Sequence, residues 1–251
     1  MKSLIIQKLN EIEKVNKVRV LLAVESGSRA WGFASPDSDY DIRFIYIRER
    51  NDYLRLDAIR DVIELPISDE LDINGWDLPK TLRLLYNSNP TLFEWLSSPI
   101  IYMETPFAET IRKEMMNFFS VKKSLYHYLS MAQGNSHGIQ KVEMVRARKY
   151  FYVLRPVLAC RWVLEKKTPP PMLFSDLAEA ELPLSLEEDV KKLLDLKINF
   201  PEIKEIPKIT VLNDFLDAEM ANIKAKLSEL DEKNENDWEK LNDLFLSALS
   251  M

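Results

Sequence analysis

The chain has 251 residues, 46% of them hydrophobic, enough for one substantial core or two smaller ones joined by a linker. A charged fraction of 29% and a formal net charge of −6 exclude a general pull toward phosphate backbones, so any grip on nucleic acid must be local. The single cysteine, Cys160, excludes an internal disulfide framework and a cysteine-rich zinc site, and it points to a reducing, cytoplasmic setting.

The opening residues, MKSLIIQKLNEIEKVNKV, alternate charged and apolar groups, which predicts no secretory signal. No apolar run approaches the ~20 residues of a bilayer span, so no membrane association is expected. Ile5, Leu9 and Ile12 recur at helical spacing and lead into the Val-rich run Val18 to Val24, a helix followed by a buried strand. After a Ser, Asp and Pro loop at 35–39, Asp41 to Ile47 has the β-branched and aromatic content of a second strand. Val62 to Leu65 and Glu70 to Asn74 predict a third and a fourth, with Pro66 to Asp69 as a hairpin connection.

From Asp77 the texture turns helical and strand signals largely cease. Asn89-Pro90 and Thr105-Pro106 each place a capping residue before a proline suited to the first turn. Residues 138–166 read as one long apolar and basic helix kinked by Pro156, and Pro169 to Pro171 break the chain after it. Ser185 to Glu188 has capping-box spacing, and 211–228 and 235–249 are amphipathic. This order predicts an α+β fold, with a small αβ unit over residues 1–105 and a helical domain over 106–251.

The informative segment is Gly27-Ser28-Arg29-Ala30-Trp31-Gly32-Phe33-Ala34-Ser35-Pro36-Asp37-Ser38-Asp39-Tyr40-Asp41, lying between two strands. Asp39 and Asp41 are two apart at a strand entry, which predicts that both carboxylates project from one face. Paired carboxylates repel unless cations lie between them, and hard oxygen ligands suit Mg²⁺ or Mn²⁺ bound together with substrate phosphates. Gly27-Ser28 offers a triphosphate a closely approachable backbone, a hydroxyl donor and the N–H groups of a helix start. Asp-Ser-Asp by itself is a common turn. A strand, Gly-Ser, about ten residues and Asp-X-Asp opening another strand is a far less common combination, pairing a phosphate cradle with a metal dyad.

Gly27-Ser28 with Asp39-Tyr40-Asp41 resembles the nucleotidyltransferase signature of the DNA polymerase beta superfamily, and GSRAWGFASPDSDYDIRFIY is similar to its YcgL-type, RNA-repair-associated branch. The likeness extends through Asp72 to Leu78, Ser88-Asn89-Pro90, Glu94-Trp95-Leu96 and Lys149 to Pro156, covering roughly residues 20 to 165. It implies a mixed-sheet catalytic core over 1–105 and a helical domain over 106–251 that contributes to the nucleotide and acceptor cleft. It also implies two Mg²⁺ or Mn²⁺ ions and transfer of an NMP group from an NTP to a hydroxyl with release of pyrophosphate. An RNA or tRNA end, a protein hydroxyl and a small molecule are each compatible acceptors.

The family chemistry calls for a third carboxylate from a neighbouring strand. Asp72 is the choice, since Leu71 and Ile73 beside it point to the opposite, core-facing surface. Asp77, which opens a helix and reads as an N-cap, is the fallback. On this reading Asp39, Asp41 and Asp72 are catalytic and hold the metals, while Gly27, Ser28, Lys149 and Arg155 bind the nucleotide. Lys149 and Arg155 rest on the resemblance. They belong to a basic stretch, Lys141 to Arg161, whose alternative reading is a set of solvated charges and ion pairs with the acidic C-terminal helices. Arg43 shares the face of Asp41 and either steadies a phosphate or neutralises the acids. Arg29 is either a phosphate contact or an exposed loop residue, and Trp31, Phe33 and Trp76 read as packing.

His127 reads as a helical histidine among aromatics and His137 as part of a Gly134 to Gly138 loop. Neither belongs to an HExxH motif. Walker, GxGxxG and GxSxG motifs are missing too, which removes the P-loop, dinucleotide and serine-hydrolase readings. Two rivals to an enzyme stay open: a nucleotide-binding module that senses NTP without turnover, and a helical protein-binding scaffold on the same core.

Overall fold

The computed structural model describes residues 1–66, 70–140, 142–200, 205–231 and 237–250. Three expectations touch positions outside these: the Pro66 to Asp69 connection beyond Pro66, Lys141 of the basic stretch, and the start of the 235–249 helix. In chain order the elements are α1 (Lys2–Asn16), β1 (Val18–Ser26), α2 (Gly27–Ala30), β2 (Tyr40–Arg48), β3 (Val62–Glu64), β4 (Leu71–Asp77), α3 (Leu78–Tyr86), α4 (Pro90–Leu96), β5 (Ile101–Glu104) and α5 (Pro106–Met115). They continue with α6 (Val121–Gln140), β6 (Met144–Arg146), α7 (Ala147–Lys166), α8 (Phe174–Glu181), α9 (Glu187–Asn199), β7 (Glu205–Pro207), α10 (Thr210–Glu229) and α11 (Trp238–Leu249). The fold is α+β, as the order of signals predicts.

The chain forms two compact units that interleave in sequence. The first takes Met1–Ala30, Asp39–Phe119 and Asn234–Met251; the second takes Trp31–Ser38 and Ser120–Lys233. The division therefore falls beyond Phe119 rather than at 105, and the last helix returns to the first unit. The reason is apolar burial: Phe107, Ala108 and Ile111 of α5, Phe118, and Leu241, Leu244 and Ala248 of α11 all enter the first unit's core.

In the first unit a five-stranded mixed sheet has the order β3-β4-β2-β1-β5. β2 and β4 are parallel, and the other neighbours are antiparallel. Strand periodicity splits the apolar residues between two faces. Ile42, Phe44, Tyr46 and Ile73 meet Ile5, Leu9 and Ile12 of α1. Ile45 and Ile47 meet Leu78 and Leu82 of α3 and Phe93 and Trp95 of α4. Gly75 is required here, because a Cβ on it would stand 2.2 Å from the Phe44 ring.

Helix punctuation follows the sequence only in part. Asn89 caps α4, its side chain accepting the Leu92 N–H at 3.3 Å, with Pro90 in the first turn. Thr105 precedes α5 without capping it and donates its hydroxyl to the Leu21 carbonyl at 2.9 Å. The capping box expected at Ser185 to Glu188 is not made: a 3-10 turn over Leu184–Leu186 leads straight into α9.

In the second unit α6, α7 and α10 pack together around α7. Phe33, Phe151 and Phe174 form its aromatic centre, with ring centroids 4.9 to 5.5 Å apart. The single helix expected over 138–166 is corrected to the end of α6, the short strand β6 paired with β7, and α7, which runs on through Pro156. Gly134 to Gly138 with His137 are helical rather than a loop. No helix among the described residues is long and apolar enough to cross a membrane.

Candidate active site

β1 and β2 pair so that Ser26, the last residue of β1, stands opposite Asp41. Gly27 follows with φ +60°, and a Cβ there would lie 2.1 Å from Asp41 Oδ2. Only glycine lets the backbone turn left-handed and pass this close to the carboxylate. On the other side of β2, Asp41 stands directly opposite Asp72 of the parallel strand β4. Residues in register on adjacent strands project from the same face at a spacing of about 4.8 Å, so this pairing brings together two of the three expected carboxylates.

Arg43 shares that face and lies between them. Its Nη2 donates to Asp41 Oδ1 at 3.0 Å and to Asp72 Oδ2 at 2.7 Å, and its Nη1 donates to the carbonyls of Ile42 and Asp72 at 3.1 and 3.0 Å. Of its two readings, the structure shows neutralisation of the acids. Asp39 immediately precedes β2 and is exposed. Arg29 holds it through the backbone, donating from Nε to the Asp39 carbonyl at 3.1 Å while its guanidinium stacks 3.6 Å over the Tyr40 ring. Ser28 is half-buried on α2.

The fallback Asp77 stands five residues along β4 from Asp72, in register with Tyr46. It occupies the N-cap position of α3, but its side chain makes no capping bond. Instead it accepts from Tyr53 Oη at 2.6 Å and pairs with Arg48 at 3.5 Å. Burial pushes its carboxyl pKa up. Trp76 stacks on Trp95 at 3.7 Å and packs against the core.

Two buried polar residues escape sequence reasoning. Glu25 is fully buried on β1; its Oε1 accepts the Asp41 N–H at 2.7 Å and its Oε2 accepts from the Tyr102 hydroxyl. Burial pushes its pKa up despite these bonds. Lys197 of α9, 3% exposed, donates to Ser35 Oγ at 3.0 Å and Ser38 Oγ at 3.4 Å, fixing the loop that leads to Asp39. Neither carried a signal, because one charged residue in an apolar strand or an amphipathic helix is compatible with many partners.

Glu25 provides a pH test. A carboxyl whose folded pKa is raised loses stability as pH climbs above its unfolded value, because the unfolded chain ionises more readily. Glu25→Gln keeps an acceptor for the Asp41 N–H and removes the buried charge. The variant is expected to have a higher Tm than the parent at neutral pH, with the gap closing below the ordinary glutamate range. A gap independent of pH in thermal melts would contradict the assignment.

Lys149 and Arg155 belong to the second unit. Lys149 is exposed on α7, its Nζ 3.5 Å from the Gly138 carbonyl. Arg155 is only 1% exposed, with its guanidinium 4.6 Å over the Trp31 ring and Nη2 3.7 Å from Met172 Sδ. Its surroundings are those of a packed side chain, not of an open basic face. Arg161 pairs with Glu181 at 3.4 Å and with Glu219 of α10 at 3.3 Å, the acidic-helix pairing that the sequence allowed. His127 is half-buried on α6, its ring edge-on to Tyr128.

Among the described residues no three His, Cys, Asp or Glu side chains converge as a ready metal cluster. Asp41 and Asp72 nevertheless already share one positive charge, the Arg43 guanidinium, which stands in for a cation between them. The chemistry of this pair suits a hard divalent ion.

A β-strand that runs into Gly27-Ser28, an Asp-X-Asp segment at the entry of the next strand, and a carboxylate in register on its parallel neighbour define a nucleotidyltransferase-like protein of the DNA polymerase beta type. A sequence profile described as "RlaP: RNA repair pathway DNA polymerase beta family" matches residues 1–247. The chain belongs to that family, as the resemblance of its Gly27 to Asp41 segment implies. It is 43% identical over 251 residues to the "Uncharacterized protein YcgL" of Bacillus subtilis (strain 168), spanning 99% of this chain and 96% of the relative. Among solved structures, a nucleotidyltransferase-like protein from Exiguobacterium sibiricum 255-15 aligns over 90% of this chain and 75% of its own, with 16% identity and a TM-score of 0.33.

Proposed function

We propose that this protein is a metal-dependent nucleotidyltransferase that moves an NMP group from an NTP to a hydroxyl acceptor and releases pyrophosphate. The observation that carries this reading is the register of Asp41 with Asp72 beside a glycine that leaves no room for any side chain. In the reaction the acceptor oxygen bonds to the α-phosphorus, the bond from that phosphorus to the bridging oxygen breaks, and pyrophosphate leaves with the electron pair. Gly27 exposes its backbone to the β and γ phosphates and Ser28 offers them a hydroxyl donor. The Asp72 carboxylate receives the proton that the acceptor hydroxyl loses. Asp39, Asp41 and Asp72 would hold two Mg²⁺ or Mn²⁺ ions, which when bound supply Lewis-acid polarisation and offset phosphate charge.

The family's description as an RNA repair pathway makes an RNA end the first acceptor to test, ahead of protein and small-molecule hydroxyls. The free, buried Cys160 supports a reducing, cytoplasmic setting. One observation favours a second reading, a nucleotide-binding module without turnover: Arg43 already engages both strand carboxylates.

The deciding experiment incubates the protein with each labelled NTP, Mg²⁺ or Mn²⁺, and a panel of RNA, protein and small-molecule acceptors. Transfer and pyrophosphate release are expected in the parent and not in the Asp39→Ala/Asp41→Ala double variant. Asp72→Asn is expected to lose roughly 100-fold or more, and Asp77→Asn far less. Nucleotide binding without pyrophosphate release from any NTP would establish the binding module instead.

A further inference from the structure

Gly27 and Arg43 crowd the Asp41 carboxylate, but a different group holds its backbone. The Asp41 N–H donates to a side chain, Glu25 Oε1, at 2.7 Å. Glu25 stands opposite Ile42 on β1, follows the buried run Val20 to Val24, and is itself fully buried. A buried carboxylate is costly in such surroundings, and an apolar residue of similar volume often serves stability as well or better. Breaks with local rules of this kind are expected at functional sites.

The segment 98–102 brackets Glu25 on three sides. Ser98 Oγ donates to the Glu25 carbonyl at 2.6 Å, the Glu25 N–H donates to the Ile100 carbonyl at 2.9 Å, and the Tyr102 hydroxyl donates to Glu25 Oε2. Only Oε1 is then left to face Asp41. The β1–β5 register passes from Ala23 opposite Met103 to Val24 opposite Ile101, so that Tyr102 is the extra residue of a bulge. A bulge re-aims one side chain of a strand. The resulting chain of contacts crosses three neighbouring strands, from Tyr102 on β5 through Glu25 on β1 to Asp41 on β2, and the next strand, β4, carries Asp72 in register with Asp41.

We infer that Glu25 is a positioning residue for the metal site: held by Ser98 and Tyr102, it fixes the Asp41 backbone and thereby sets the spacing of the Asp41 and Asp72 carboxylates. The inference rests on the reading of these two carboxylates as metal ligands.

The test measures Mn²⁺ affinity of the full chain without nucleotide, by electron paramagnetic resonance of the free ion, below the melting temperature of each protein. Glu25→Leu fills the site and accepts no hydrogen bond. It is expected to weaken Mn²⁺ binding by about 10- to 100-fold, the usual effect of removing a partner that orients a metal ligand. Glu25→Gln keeps an acceptor for the Asp41 N–H and is expected to stay close to the parent. Tyr102→Phe removes one hydroxyl from a half-buried side chain and is expected to weaken binding by a smaller factor; it decides the matter if Glu25→Leu does not fold. Parental affinity in a folded Glu25→Leu, or in Tyr102→Phe where Glu25→Leu does not fold, overturns the inference while leaving the metal reading intact. Equal weakening by Glu25→Gln and Glu25→Leu also overturns it, because charge and not the held amide would then be responsible. A parent that binds no Mn²⁺ overturns the metal reading itself, and this inference with it.

Discussion

Gly27→Ala is expected to cut nucleotidyl transfer by roughly 100-fold or more, because a displacement of about 1 Å in a catalytic group has that effect. The new Cβ would stand 2.1 Å from Asp41 Oδ2, inside any real contact distance, at a backbone φ of +60°. The left-handed backbone costs an alanine about 1–2 kcal/mol, and forcing the neighbouring carboxylate aside adds about 1–3 kcal/mol. Asp41 is the group that must move, which breaks its 3.0 Å contact with Arg43. Urea denaturation in EDTA reads the stability loss whether or not the protein is an enzyme. A variant with the parental midpoint and parental transfer would show that the close approach of Gly27 to Asp41 has no role.

The second large effect is expected at Arg43. Its side chain is 19% exposed, and those of Asp41 and Asp72 are 28% and 33% exposed. The pairing therefore lies between a surface ion pair, worth about 0–1 kcal/mol, and a buried one, where loss of a partner costs about 3–5 kcal/mol. Arg43→Gln leaves two carboxylates facing each other on adjacent strands and is expected to destabilise the metal-free protein by about 1–3 kcal/mol. Added Mn²⁺ should then restore the missing charge. A ligand at 100 times its Kd stabilises by about 2.7 kcal/mol, so the Mn²⁺-induced rise in Tm is expected to be larger in the variant than in the parent. In the parent, the same ion must first displace the guanidinium. Equal metal shifts in both proteins, or parental stability of the variant in EDTA, would rule out competition between Arg43 and the cation.

Much of the first unit was legible because it obeys a short period. Ile5, Leu9 and Ile12 mark one helical face, and Leu71 and Ile73 flank Asp72 on the opposite strand face; both sets are buried in one core. Strand β5 was missed because its four residues are all partly or fully exposed and show no alternation. β6 and β7 have three residues each, too few to establish any period. The basic stretch was legible only in part, for a related reason. Spacing places Arg148, Tyr152 and Arg155 near one helical face, but it does not show whether that face meets water or the Trp31 ring.

By itself, the sequence determined the α+β class, the Gly-Ser and Asp-X-Asp segment between two strands, and the face that Asp72 occupies, because each follows from local spacing and backbone geometry. The tertiary structure alone decided which charges meet. Strand register set Asp41 against Asp72 with Arg43 between them. Burial placed Glu25 under the Asp41 amide and Lys197 under the Ser35 and Ser38 hydroxyls. A charged side chain carries no local mark of its partner. Its partner is chosen by the apolar packing of elements far apart in the chain, and the same packing gives Gly27 its single permitted side chain, a hydrogen atom.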